Sequence, residues 1–257
     1  MLHQFSRTEL AIGPEGLAVM KNSTVAVLGL GGVGSIAAEA LARSGIGRII
    51  LIDKDVVDIT NINRQIHALT TTIGQPKAEL MRERINLINP ECDAVALQMF
   101  YTEETCERLF QYPLDYVIDA SDTITYKIHL IKECLRRGIP IISSMGAANK
   151  MDPTRFRVAD ISQTKVDPIA RVIRQKLRKA GITKGVKVVF STEEPLKPRH
   201  DVTQRIVPEN APAIRKAQQP PASNAFVPPV AGLIMVGVVV QDLLKAGAAK
   251  MQATSAE

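Results

Sequence analysis

Gly29, Gly31, Gly32 and Gly34, followed by Ser35, come directly after the apolar run 24–28, and Asp53 ends a second apolar run at 48–52. Glycines at this spacing let a chain turn sharply from a buried strand into a helix. They also bring backbone N–H groups close to a phosphate, where the helix dipole adds positive potential. A carboxylate at the position of Asp53 can accept both hydroxyls of a ribose. These residues describe a nucleotide site, but the same pattern also serves NAD and FAD.

The charged residues after the second run separate these cases. Phosphoryl chemistry needs cations where negative charge develops and an oxygen ligand for magnesium, whereas hydride transfer needs neither. Arg64 and Lys77 supply the cations. A lysine in the first turn of a helix opposes the dipole, a placement that favours an anion nearby. Asp122 follows the apolar run 116–118 and is expected at the carboxyl edge of a sheet, with Asp119 closer to the strand and orienting backbone. The residues are therefore read as a site for ATP and Mg2+ rather than for a redox cofactor.

The elements that must position these groups follow from periodicity. Runs at 24–28, 48–52, 94–99, 116–118, 139–143 and 186–190 are short and rich in Val, Ile and Leu, as in strands buried on both faces. Helical patterns lie between them at 35–43, 76–88 and 125–137, each with a stop signal of Gly or Asn-Pro. The alternation predicts an α/β fold with a doubly wound, Rossmann-like sheet. Residues 1–150 are expected to form the ATP-binding adenylation unit. Residues 151–257 are expected to form a basic carboxy-terminal lobe of the same fold, with a mobile loop at 195–224.

The charge balance separates the two parts. Residues 1–150 hold 15 Lys and Arg against 17 Asp and Glu, whereas residues 151–257 hold 17 against 9. Clustered cations suit a polyanion. The helix predicted from Asp167-Pro168 to Gly181 puts Arg171, Arg174 and Arg178 on one face, which makes them candidate RNA contacts. Cys92, Cys106 and Cys134 are too few and too widely spaced for a disulfide framework or a thiolate zinc site. Residues 1–7 lack the features of a secretion signal, so a cytoplasmic location is expected. The apolar stretch 226–244 is interrupted by Pro228-Pro229 and falls short of the ~20 residues of a membrane span. It is read as a buried helix, with no membrane partner.

Gly29-x-Gly31-Gly32-x-Gly34, Asp53-x-Asp55, Asn61-x-x-Arg64-Gln65, Gly74-Gln75-Pro76-Lys77 and Asp119-x-x-Asp122 together resemble the ubiquitin-activating-enzyme superfamily, in its bacterial adenylating branch. The resemblance implies that Asp53 holds the ribose, that Asn61, Arg64 and Lys77 hold the phosphates, and that Asp122 holds magnesium. Asp55 and Gln65 belong to the same motifs. Arg7 matches an arginine that reaches into the partner subunit's site, which implies a homodimer.

Superfamily members that activate ubiquitin-like sulfur carriers usually carry two C-x-x-C zinc pairs in the carboxy-terminal half. This chain has no cysteine after Cys134. Asn63-Arg64-Gln65-Ile66-His67-Ala68-Leu69, Asp152-Pro153-Thr154 and Phe190-Ser191-Thr192-Glu193 resemble instead the branch that dehydrates threonylcarbamoyladenosine beside the anticodon of tRNA. That branch implies an acyl-adenylate, a tRNA anticodon stem-loop as partner, and a possible sulfur-transfer or redox partner protein. The alternatives are an adenylyltransferase for a sulfur-carrier protein, and a nucleotide-binding module or NAD enzyme in which Arg64, Lys77 and Asp122 are dispensable. His67 and the group Ser191, Thr192 and Glu193 are further candidates for ligand contact.

Overall fold

A computed structural model describes residues 2–207 and 220–254. Among these residues seven strands form one sheet, in the order β3-β2-β1-β4-β5-β7-β6. They are β1 Thr24–Leu28, β2 Arg48–Ile52, β3 Asp93–Leu97, β4 Tyr116–Asp119, β5 Ile141–Ser144, β6 Phe156–Asp160 and β7 Lys187–Ser191. All neighbours are parallel except β6, which runs antiparallel to β7. The strand order reverses between β1 and β4, so their carboxyl ends diverge and leave a crevice at the sheet edge.

Alternation along β1 divides the core. Val25 and Val27 face α1 (Ser6–Lys21), α2 (Gly34–Arg43), α3 (Lys77–Ile88) and the carboxy-terminal helix. Ala26 and Leu28 face α4 (Glu107–Phe110), α5 (Ile124–Arg137) and α6 (Pro168–Lys179). Both faces of the sheet are covered, which is why its strands read as continuous apolar runs. α5 ends on Gly138 in the left-handed conformation, φ 68°. Asp167 caps α6 by accepting from the N–H groups of Ile169 and Ala170.

The structure revises several sequence expectations. Strand β3 is Asp93–Leu97 rather than 94–99, and β5 begins at Ile141 rather than 139 because Ile139 donates its N–H to Cys134 O in closing α5. Helix α1 carries no signal of regular periodicity, since Gly13, at φ 73°, and Pro14 kink it. The segment expected as a loop over 195–224 contains helix α7, His200–Ile206, and its part at 208–219 lies outside the described residues. The last helix, α8 (Val227–Thr254), has 28 residues. Pro228 and Pro229 occupy its first turn, where a missing N–H costs nothing, and so do not interrupt it. By length and composition α8 could cross a membrane. Here its face of Ala231, Met235, Val239 and Leu243 is buried against the core.

The basic lobe and the glycine-loop half share this one sheet, with β7 paired to β5. A buried charge group lies beneath the carboxyl edge. Asp119 Oδ2 accepts from Lys127 Nζ at 2.7 Å and from Ser143 Oγ at 2.6 Å, joining β4, α5 and β5. Both charged side chains are buried, and removing one partner of such a pair typically costs about 3–5 kcal/mol.

Candidate functional site

The glycine loop owes its shape to one close approach. A Cβ on Gly34 would stand 1.8 Å from Gly29 O, so only glycine lets α2 begin against the turn that leaves β1. Gly29 itself has φ +84°. At Gly31 nothing lies within 4 Å of where a Cβ would be, so the loop is open to a ligand there. Gly32 packs beside Arg64 and Pro228. Ser35 is buried with its Oγ accepting from Ile66 N at 3.4 Å. It ties the loop to the following crossover instead of lining the open side.

Asp53 stands at the end of β2, with Oδ2 accepting from Leu30 N at 2.6 Å and Oδ1 from Asp55 N at 2.8 Å. A carboxylate oxygen can accept two hydrogen bonds, so acceptor capacity remains for a pair of hydroxyls. Burial pushes its pKa up, against the two N–H donors and Lys77, which lower it. Asp55 instead pairs with Lys54 Nζ at 2.6 Å and lies 3.7 Å from the buried Lys77 Nζ. Its place is to orient Lys77, whose own N–H donates to Asp55 O.

Between Asp53 and Lys77 the crossover is held by a capping box at Asp58, in which the buried Asn61 accepts from Asp58 N at 3.2 Å. Arg64 is half-buried, and its Nη1 donates to Thr60 O at 2.9 Å and Asn63 Oδ1 at 2.8 Å. Among the described residues no carboxylate pairs with it, and burial lowers its pKa. A partly desolvated guanidinium whose positive charge meets only neutral acceptors among the described residues, beside an open glycine loop, is suited to an anion. Gln65 and His67 are buried, and among the described residues Gln65 Oε1 and both His67 ring nitrogens have no hydrogen-bond partner.

Asp119 and Asp122 divide as their spacing suggests. Asp119 also accepts from Ser121 N and Oγ, which fixes the loop carrying Asp122. Asp122 is exposed and accepts from Thr123 Oγ1 at 3.4 Å. The Lys54 ammonium has its pKa raised by Asp55 first and then by Asp53 and Asp122, which places these groups in one electrostatic neighbourhood. No group of three or more potential metal ligands occurs among the described residues. A single exposed carboxylate does fit a magnesium ion that takes its other ligands from phosphate and water.

Other candidates lie apart from this crevice. Arg7 is exposed in the first turn of α1, and its neighbour Phe5 packs near Gly45, just beyond the far end of α2. The ten residues of α2 put about 15 Å between that end and the glycine loop. Arg7 is thus placed away from the site of its own chain. Of the three arginines on α6, Arg171 and Arg178 are exposed. Arg174 is directed back to Thr164 O at 2.9 Å, a correction to its expected place in a ligand-facing row. Glu193 accepts from Met151 N and Asp152 N, both at 2.9 Å, and Ser191 Oγ accepts from Glu193 N, so this group braces the loop after β5.

Sequence reasoning missed two groups. Lys127 shares an apolar helix face with Leu130, Ile131 and Cys134, and a lysine on such a face was the available signal of a buried partner. Phe100, Tyr126 and Lys54 meet near Asp53, with the two rings 4.8 Å apart edge to face and Lys54 Nζ 5.5 Å from the Phe100 centroid. No periodicity brings these three residues together.

The ThiF family model matches residues 5–255. The tRNA threonylcarbamoyladenosine dehydratase of Bacillus subtilis (strain 168) is 71% identical over 245 residues, covering 95% of this chain and 96% of the relative. The crystal structure of the Escherichia coli tRNA N6-threonylcarbamoyladenosine dehydratase in complex with ATP superposes with a TM-score of 0.83 at 36% identity, covering 95% of both chains. The molybdopterin-synthase adenylyltransferase of Escherichia coli (strain K12) is 32% identical over 138 residues, 54% of this chain.

His67 provides a test of the site's electrostatics. Burial, then Lys77 and Arg84, bring its pKa down to about 4 from 6.5. The unfolded chain therefore takes up the proton first. Stability is full above pH 6.5, falls as pH drops from 6.5 toward 4, and is flat with respect to this group below that. In urea denaturation, wild type should lose about 3 kcal/mol more than His67→Gln across this window. Parallel pH profiles for the two proteins would contradict the assignment.

Proposed function

The chain belongs to the ThiF family, and we propose that it catalyses the ATP-dependent dehydration of threonylcarbamoyladenosine in tRNA, next to the anticodon, through an acyl-adenylate. The observation that carries this reading is the end-to-end likeness to the Bacillus subtilis dehydratase, 71% identity over 95% of the chain. The likeness to the molybdopterin-synthase adenylyltransferase covers only about half of it.

The chemistry of the chain supports the same reading. A carboxylate oxygen of the threonyl group attacks the α-phosphorus of ATP, a P–O bond forms, and pyrophosphate leaves. The ureido group of the same nucleoside then attacks the activated carbonyl carbon. AMP leaves with the carboxylate oxygen, and a proton is released. The nucleophile is tethered, so its effective concentration is high and no enzyme thioester is needed. This suits the cysteines. Cys92, Cys106 and Cys134 are all buried, and burial pushes each thiol up, Cys92 to about 12.

In this proposal Gly29, Gly31, Gly32 and Gly34 bring backbone close to the phosphates, and Asp53 accepts from the ribose. Asn61, Arg64 and Lys77 hold the phosphates, with Gln65 beside them in the crossover, and Arg64 and Lys77 neutralise the charge that grows there as pyrophosphate departs. Asp122 would hold magnesium, which supplies charge neutralisation on the leaving pyrophosphate when bound. Arg171 and Arg178 would contact the tRNA phosphates, with Arg174 shaping the helix that carries them. A second copy of the chain would bring Arg7 to the site, which the distance between Arg7 and its own glycine loop favours. This reaction belongs in the cytoplasm, with no membrane partner, and a sulfur-transfer or redox protein is its candidate accessory partner.

Purified protein, magnesium-ATP and tRNA bearing threonylcarbamoyladenosine should yield a nucleoside lighter by one water, dependent on ATP. Activity that instead requires a small protein ending in Gly-Gly would move the assignment to the sulfur-carrier branch. For the shared site, Arg7→Ala and Arg64→Ala should each be inactive alone and regain about a quarter of wild-type activity when mixed as dimers. No regain on subunit exchange would remove Arg7 from the partner's site.

A further inference from the structure

Asn149 follows β5 in the left-handed conformation, φ 59°, where a non-glycine residue needs a local reason to be. Three hydrogen bonds supply one. Asn149 O accepts from Leu196 N at 2.8 Å, Asn149 N donates to Ala222 O at 2.8 Å, and Asn149 Oδ1 accepts from Ala222 N at 2.7 Å. One residue therefore holds both stems of the segment 196–222.

The returning stem is bound to the nucleotide crevice as well. Asn63 Nδ2 donates to Ser223 O at 3.0 Å, and the Asn63 carboxamide oxygen accepts from Arg64 Nη1. On the other side Asn224 Nδ2 donates to Lys150 O at 2.9 Å, while Asn224 Oδ1 receives the N–H of Val227 at the start of α8. Lys150 is buried 3.6 Å from Asp167, the cap of the basic helix α6. A continuous set of polar contacts thus runs from Arg64, through 222–224 and Asn149, to α6.

We propose that Asn149 is a positioning residue for the tRNA substrate. It clasps both stems of 196–222 so that the RNA-facing helix α6 and the phosphate-facing Arg64 are held in one register while the carboxylate is activated. The proposal rests on the dehydratase reading. It assigns Asn149 no contact with ATP, so its loss should slow turnover of the RNA without weakening nucleotide binding.

Three full-length variants separate backbone from side chain. Asn149→Gly keeps the left-handed backbone and loses the acceptor. Asn149→Asp keeps an acceptor and tolerates the same conformation, and Asn149→Ala loses both. Loss of the Ala222 contact should lower kcat for ATP-dependent water loss about five- to tenfold in Asn149→Gly, with the Kd for ATP within twofold of wild type. Asn149→Asp should retain near wild-type kcat, and amide exchange at Ala222 should accelerate in Asn149→Gly alone of these two. Wild-type kcat in Asn149→Gly would overturn the proposal, as would equal losses in Asn149→Gly and Asn149→Asp. A fall in melting temperature with kcat unchanged would show a structural role only and overturn it too. Absence of water loss in wild type would refute the dehydratase reading itself, and the clasp would then have no step to position.

Discussion

The approach of Gly34 to Gly29 sets the rest of the site. With no room for a Cβ between them, α2 starts directly against the end of β1, and its amino terminus is aimed at the crevice where the sheet order reverses. Asp53 reinforces this geometry by accepting from Leu30 N, which fixes the loop to the end of β2. The loop stays open at Gly31, and Arg64, which pairs with no carboxylate among the described residues, lies beside Gly32. A larger residue at either close contact would move the loop away from its cations.

The second support lies under the neighbouring strand. Asp119 is not a ligand group but a buried anchor that gathers Lys127, Ser143 and Ser121. Burial makes such a pair costly unless every partner is present, so the pair fixes where Asp122 emerges. The two carboxylates of the Asp119-x-x-Asp122 pattern thus have opposite environments, one enclosed and neutralised by Lys127, the other exposed. The same logic recurs at Asp167, which holds Lys150, Gly146 N and the first turn of α6.

Much of this was legible in the sequence because the strands of a parallel sheet are apolar throughout and its helices carry plain caps and stops. β1 and β2 have the bounds that their composition suggests, and Gly138 ends α5 as a left-handed cap should. What was not legible depends on tertiary contact. β6 is a half-exposed edge strand, Phe156–Asp160, with too little apolar pattern to stand out, and α1 is broken by Gly13-Pro14. Arg174 shares its spacing with Arg171 and Arg178, and only the position of Thr164 turns it inward. The roles of Asp55 and Ser35 likewise depended on Lys77 and Ile66, which lie far along the chain.

In the proposed reaction ATP activates the carboxylate at its α-phosphorus. The most direct test supplies tRNA whose threonyl carboxylate carries 18O and follows the label through one turnover by mass spectrometry. Attack at the α-phosphorus yields AMP bearing one 18O atom, with unlabelled pyrophosphate. Release of ADP with 18O in inorganic phosphate would place the attack at the γ-phosphorus and contradict it.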